Sequence, residues 1–347
     1  MDLNELSVLA LWSAMAIYAL AFIAFAADLA KRSADVTAAA ELTEGDSASA
    51  PVAATVGSAG NAMAAASADK SAYSGRRPVG TLTRTDPDAP QVQAKKSAVL
   101  RVAVALTVLG LLLHLTAAVT RGVAAERVPW ANMYEFAMTG TLLIIATYLV
   151  VLTRVDLRFL GTFIVGLVLV MLGLAAVNFY VEVVPLPPAL QSAWLVIHVF
   201  VASTGTALFA LGFALSVLQL VQHRRETSGS DLKSLKLKFV ATLPSAARLE
   251  NLAYRSNIVA FILWTFTLIA GAIWAERAWG RYWGWDTKEV WTFIIWVIYA
   301  GYIHARATRG WRGSRSAWLS IIGFVAVIFN FSIVNLFFKG LHAYSGL

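Results

Sequence analysis

The 347-residue chain contains no cysteine. Thiol nucleophiles, iron–sulfur clusters, cysteine-bound zinc and disulfides are therefore excluded, and any thiol in its chemistry must come from a partner. Charge is scarce as well. Only 14% of residues are Asp, Glu, Lys or Arg and 59% are hydrophobic, whereas soluble domains carry about 25% charged and about 45–50% apolar residues. A mean hydropathy of +0.67 and several apolar runs of about 20 residues assign that excess to lipid. A soluble enzyme, a disordered hub and a disulfide scaffold are ruled out. The net charge of +8 could suggest nucleic acid, but its distribution assigns it to membrane orientation, and no nucleic-acid partner is expected.

What is present is a series of apolar segments at Leu6–Ala27, Val99–Thr120, Ala131–Thr153, Phe159–Val177, Ala193–Val221, Asn257–Trp274, Val290–His304 and Ala317–Phe338. They predict an all-α polytopic membrane protein of about eight transmembrane helices, the seventh being short and next to an unusual loop. With the N-terminus outside, the inner segments carry 22 of the 28 Lys and Arg residues. The outer side then holds Arg121, Arg127, Arg277, Arg281, Lys288 and Lys339. That is a strong positive-inside bias, and it puts both termini and the Trp-rich loop on the outer face. Asp2 and Glu5, with no basic residue before the first helix, suit an anchor helix over a cleaved signal peptide.

Three regions are expected: an anchor helix over 1–30, a flexible cytoplasmic linker over 31–97, and a membrane domain over 98–347. Residues Ser33–Lys96 are mostly Ala, Ser, Gly, Thr and Pro, too poor in aliphatic bulk to form a core. The stretch Asp231–Arg255 spaces Leu among cations and predicts an amphipathic helix on the inner lipid face, with a plain basic tether as the alternative.

Tryptophan is strongly clustered. Six of the 12 lie in one window: Trp274, Trp279, Trp283, Trp285, Trp291 and Trp296. An interfacial aromatic belt accounts for Trp274, Trp291 and Trp296 near helix ends. It does not account for Trp279, Trp283 and Trp285, interleaved with Gly280 and Gly284 in a loop. Glycines there allow a tight turn and the close approach of a flat ligand, so a stacking surface for a planar apolar molecule is the preferred reading.

Of the five histidines, His198 lies near the outer end of the fifth helix and His342 just beyond the outer end of the eighth. Two neutral imidazoles on the side of the Trp loop suit axial ligation of a haem iron, although a single interfacial histidine is commonly just a hydrogen-bonded residue. His223, beside Arg224 and Arg225, reads as a solvated loop residue. His114 and His304 lie within apolar segments, where ionisable groups are functional candidates. At 1.5 Å per residue their depths differ by about 10–15 Å, too much to ligate the two faces of one iron.

The run RAWGRYWGWDTKEVW, Arg277–Trp291, resembles the tryptophan-rich WWD signature of the CcsA/ResC family, the membrane half of the system II cytochrome c synthase. The resemblance extends through Val128–Phe136, Ser192–Val199, Leu243–Arg255, Gly301–Gly313 and Asn335–Tyr344. It implies that His198 and His342 are axial ligands of a haem held by the WWD loop. It further implies that His304 is an intramembrane histidine serving haem on its way outward, and that Trp279, Trp283, Trp285, Asp286 and Trp291 belong to the haem-binding signature. Thr287 stands where the family commonly has Pro.

The function expected from this resemblance is delivery of b-type haem, as a substrate in transit, to the outer face of a bacterial plasma membrane. There it would be attached to the cysteines of an apocytochrome c C-x-x-C-H motif, the chain being the haem-binding subunit of a haem lyase complex with a ResB-like membrane partner. A b-type membrane cytochrome that passes electrons is the alternative; it would need histidine pairs at matching depth. A small-molecule transporter would be expected to show inverted repeats, and no repeat is evident.

Overall fold

A computed structural model describes residues 2–48, 97–183, 191–227, 238–308, 310–338 and 340–342. Regular structure among the described residues is entirely helical: α1 (Leu3–Ala48), α2 (Ala98–Ala124), α3 (Met133–Leu152), α4 (Gly161–Asn178), α5 (Ala193–Thr227), α6 (Ala246–Trp279), α7 (Thr287–Ala307), α8 (Ser314–Phe331) and the short α9 (Ile333–Phe337). The molecule is a polytopic all-α membrane protein. Each of the eight expected segments lies on a helix. Among the described residues, seven helices are long and apolar enough to cross a membrane. The 21-residue α7 is not among them, because Lys288, Glu289, His304 and Arg306 near its ends lower its hydropathy.

In lipid the helices gain little from burying apolar surface, so close packing and interhelical polar bonds hold them together. Among the described residues this gives two large apolar cores and a small third cluster around Leu195, Val199 and Trp274. One joins α1–α4 to one side of α5 through residues such as Tyr18, Tyr148, Leu172, Leu211 and Leu215. The other joins α5 to α6, α7 and α8 through Phe209, Trp264, Tyr299, Tyr302 and Phe324, where Phe209 stacks on Tyr299 with ring centroids 3.7 Å apart. Helix α5 is therefore the wall shared by both halves.

Polar clamps close the bundle at its two ends. At the end expected to be outer, the fully buried Glu135 of α3 accepts hydrogen bonds from Arg121 of α2 at 3.0 Å and from Arg127 at 2.6 Å. Arg121 also donates to the Asn4 side chain of α1 and to the Val181 carbonyl, each at 2.7 Å. At the opposite end, Arg306 of α7 pairs with Glu250 of α6 at 3.1 Å, whose carboxylate also receives the Gly313 N–H ahead of α8.

Several details differ from the sequence reading. Helix α1 continues past the expected boundary to Ala48; the rest of the expected linker, 49–96, lies outside the described residues. Within Asp231–Arg255, residues 231–237 also lie outside them. A short 3₁₀ turn spans Lys238–Thr242, and from Ala246 the chain is already the first turns of α6. In the described part Leu243 and Leu249 are buried, so the residues from Ala246 on are the base of α6 and not a separate surface helix. His223 lies within α5, not in a loop.

Removing Glu135 would leave two guanidinium groups buried without their shared counter-charge. Glu135→Ala is expected to destabilise the bundle by on the order of 3–5 kcal/mol, seen as a lowered thermal midpoint in detergent. Asp156→Ala, which breaks the exposed pair with Arg158, should cost under about 1 kcal/mol.

Candidate functional site

The Trp-rich loop is built by two helix ends. Helix α6 stops at Gly280, whose φ of +67° suits a residue without a Cβ, and the Gly280 N–H donates to the Glu276 carbonyl at 2.8 Å. Helix α7 begins at a capping box. The Asp286 side chain accepts from the Lys288 N–H at 2.7 Å, and the Asp286 N–H donates to Glu289 at 3.1 Å. Thr287 is thus the first helical residue, a position that suits Pro; here the reciprocal cap organises the turn. Glu289 additionally accepts from the Gly284 N–H at 2.8 Å and from Arg281 at 3.1 Å, drawing the intervening loop onto the start of α7.

Around this loop a deep pocket opens between α3, α5, α6, α7 and α8. Its lining is mostly apolar and includes Phe136, Trp264, Trp274, Trp283, His198 and His342. The two histidines come from elements 144 positions apart in the sequence (198 to 342) and meet in this one cavity. Trp274 lies against both. The His198 ring stacks on it with centroids 5.9 Å apart, and the His342 ring meets it edge-on at 5.5 Å. Trp279 contacts His342 edge-on at 4.7 Å and Trp274 at 4.7 Å.

Both imidazoles are oriented through the same nitrogen. His198 Nδ1 lies 3.0 Å from the Thr267 carbonyl oxygen. A carbonyl only accepts, so Nδ1 carries the hydrogen and Nε2 keeps its lone pair. His342 Nδ1 lies 3.1 Å from Asp286 Oδ2, again leaving Nε2 as the free base when the ring is neutral. Burial alone would raise the Asp286 carboxyl. The hydrogen bond and charge of His342, with the N–H groups of Lys288 and Glu289, outweigh it and hold the carboxyl well below the ordinary carboxylate range. Anchored Nδ1 and free Nε2 is the outer-shell arrangement of a metal-ligating imidazole. Among the described residues no group of three or more His, Asp or Glu could hold a bare metal ion.

The remaining candidates are distributed unevenly. Trp283 lines the pocket, whereas Trp285 is 75% exposed, with φ +59°, and touches Trp283 edge-on from outside. Trp291 packs against Phe329 of α8 with centroids 4.4 Å apart, away from the lining. Trp274, expected in an aromatic belt, is only 2% exposed and forms the inner wall of the site; that assignment is corrected. Trp296 donates to Thr265 at 3.0 Å along the α6–α7 contact. His304 is exposed on the last turn of α7, outside the pocket. His114 is wholly buried beside Tyr18, at 3.4 Å, in the other half of the bundle.

Two further positions escaped sequence reasoning. Gly271 allows the His198 ring to lie against α6: a Cβ there would come within 2.7 Å of that ring. Asn335 of α9 accepts a hydrogen bond from the Lys288 ammonium group inside the pocket. Gly271 carries no local signal, and Asn335, although it heads one of the resembling stretches, matters through Lys288, a neighbour distant in sequence.

Fold and pocket together define a polytopic helical membrane protein with a paired-imidazole, aromatic-walled site at one end of the bundle. A family model described as Cytochrome C assembly protein matches residues 130–342, and the chain belongs to that family. Cytochrome c biogenesis protein CcsA of Guillardia theta is 36% identical over 250 residues, covering 66% of this chain and 80% of that protein. The protein of the same name from Prochlorococcus marinus is 41% identical over 177 residues, covering 46% and 56% respectively. Among solved structures, Cytochrome c Heme Lyase CcmF matches with a TM-score of 0.58 at 15% identity, over 95% of this chain and 47% of that one. The chain thus spans about half the length of that structure, and the likeness is one of fold.

The Asp286 carboxylate caps α7 and orients His342, so its loss should be felt twice. Asp286→Ala is expected to lower stability by about 0.5–2 kcal/mol from the cap alone. Because the folded carboxyl is held below its ordinary value, its contribution is complete above about pH 4 and drains away as pH falls further. Thermal melts should therefore show wild type and variant converging on acidification, and a gap independent of pH would show that the charge plays no part.

Proposed function

We propose that this chain acts in cytochrome c maturation by holding haem in the Trp-lined pocket and presenting it for attachment to apocytochrome c. The observation that carries the reading is the pair His198 and His342, each anchored through Nδ1, each with Nε2 free, and both lining one aromatic cavity against Trp274. The relatives' names, cytochrome c biogenesis protein and cytochrome c haem lyase, support the same process. A b-type electron-transfer cytochrome is the weaker reading: the other candidate histidines, His114 and His304, lie in different halves of the bundle and cannot face one iron.

In this reading haem is cargo. Its attachment adds each substrate thiol across a vinyl double bond: sulfur bonds one vinyl carbon and the proton goes to the other, so no oxidant is consumed. The thiols belong to the C-x-x-C-H motif of the apocytochrome, since this chain has none. The chain's own part is to bind, orient and exclude water, bringing the vinyl edge to the incoming cysteines; proximity and orientation supply the acceleration. The substrate histidine then replaces one of the two imidazoles. By cation distribution the pocket end of the bundle faces outward from a bacterial plasma membrane, with both termini on that side. The division into an anchor at 1–30, a linker at 31–97 and a haem-handling domain at 98–347 belongs to the same proposal.

His304 stands about 25 Å along α7 from Thr287 at 1.5 Å per residue, exposed on the bundle surface. A haem station there would draw its second ligand from a partner chain, of the ResB-like kind, seated against α7.

His198→Ala and His342→Ala are each expected to abolish cytochrome c maturation and to replace the bis-imidazole spectrum of purified protein, with partial recovery on adding free imidazole. Normal cytochrome c levels in both variants would overturn the assignment. His304→Ala is expected to lower total bound haem while leaving the spectrum of the remainder unchanged. Altered axial ligation in that remainder would place His304 in the pocket site instead.

A further inference from the structure

We propose that Lys288 is the carboxylate-recognising residue of the pocket, gripping a haem propionate and so deciding which edge of the ring faces the mouth. This rests on the haem reading above and adds an orientation to it.

The charge inventory of the cavity points to an anionic ligand group. Lys288 is the sole Lys or Arg among the described residues lining it, and Glu289 is the sole acid. Glu289 is fully occupied: it receives Arg281, the Gly284 N–H and the Asp286 N–H. Asp286 is engaged by the His342 ring and by the backbone N–H of Lys288, not by its ammonium. The nearby arginines are also committed. Arg281 lies over Trp279 as well as bonding Glu289, and Arg277 lies over Trp194. The Lys288 ammonium is left with a neutral partner, the side-chain oxygen of Asn335.

That partner aims the ammonium without neutralising it. The Asn335 amide group donates to the Phe331 carbonyl at 2.8 Å, which fixes its oxygen toward Lys288. An ammonium has three donors, and this bond uses one. Among the described residues no counter-charge is in hydrogen-bond contact with it, and the Asp286 carboxylate acts on it only from beyond that range; a cation so placed among aromatic and aliphatic walls is costly unless a ligand brings the anion. The two carboxylates of haem lie on the edge of the ring opposite the two vinyl groups. Holding the carboxylate edge at Lys288 therefore directs the vinyl edge away from the start of α7, toward whatever substrate approaches. Lys288 touches neither the iron nor the reacting vinyl carbons, so it is a positioning residue.

The test uses the full chain in zwitterionic nanodiscs, titrated with haem and with haem dimethyl ester, in which both propionates are esterified. Wild type should bind haem more tightly than the ester by on the order of tenfold. Lys288→Met should erase that preference while keeping the bis-imidazole spectrum of bound haem. Lys288→Arg should retain part of it, and Asn335→Leu, which leaves the lysine but removes its aim, should weaken it. Should Lys288→Met fold poorly, the wild-type preference and the Arg and Asn335 variants still decide. Equal binding of both rings by wild type would overturn the Lys288 assignment alone. Failure of wild type to bind either ring would overturn the haem reading and this proposal with it. A preference abolished by adding phosphatidylglycerol to the nanodisc would reassign Lys288 to a lipid phosphate.

Discussion

One carboxylate joins the two halves of the candidate site. Asp286 caps the first turn of α7 with one set of hydrogen bonds and takes the His342 ring with another. The cap determines where the Trp loop ends, and the imidazole bond determines where the segment beyond α9 returns. Without this shared acceptor the loop and the C-terminal histidine would be ordered independently, and the conformational entropy of each would act against their meeting. With it, ordering one orders the other. Glu289 does similar work on the opposite flank, binding Arg281 and the loop backbone together.

The membrane setting explains why such polar joints carry so much. Helix faces gain almost nothing from leaving lipid for a protein interior of equal polarity, so position is set by close packing and by the few polar groups that have no alternative partner. Arg121, Glu135 and Arg127 fasten α1, α2 and α3 near the pocket end. Glu250 and Arg306 fasten α6 and α7 at the other. Between these clamps the apolar stretch lined by Trp264, Phe324 and their neighbours is free of ion pairs among the described residues, and the pocket extends into that stretch.

Helix positions and family were legible because both are written in local sequence. Each apolar run is long enough to declare itself, and Arg277–Trp291 concentrates its motif in 15 positions. That His198 and His342 belong together was legible in two ways, from the resemblance of the segments that carry them and from a shared side of the membrane, and both line one pocket. Cation counting orders the ends of helices, a one-dimensional property. Trp274 was misread for a related reason. A tryptophan near a helix end satisfies the interfacial rule, and nothing in the sequence states whether that helix face is turned to lipid or to His198.

By itself the sequence determined the all-helical membrane architecture, the absence of any thiol chemistry of its own, and the crowding of tryptophan into one loop with an Asp–Glu capping pair behind it. Only the tertiary structure decided which tryptophans enter the cavity, that Gly271 makes room for the His198 ring, that His304 lies on the outer surface of α7, and that Lys288 is left facing a neutral amide. The physical reason is rotational. A soluble helix reveals its buried face by an apolar stripe, but a helix in lipid is apolar all round, so its sequence marks depth and not direction, and direction comes from the neighbours that pack against it.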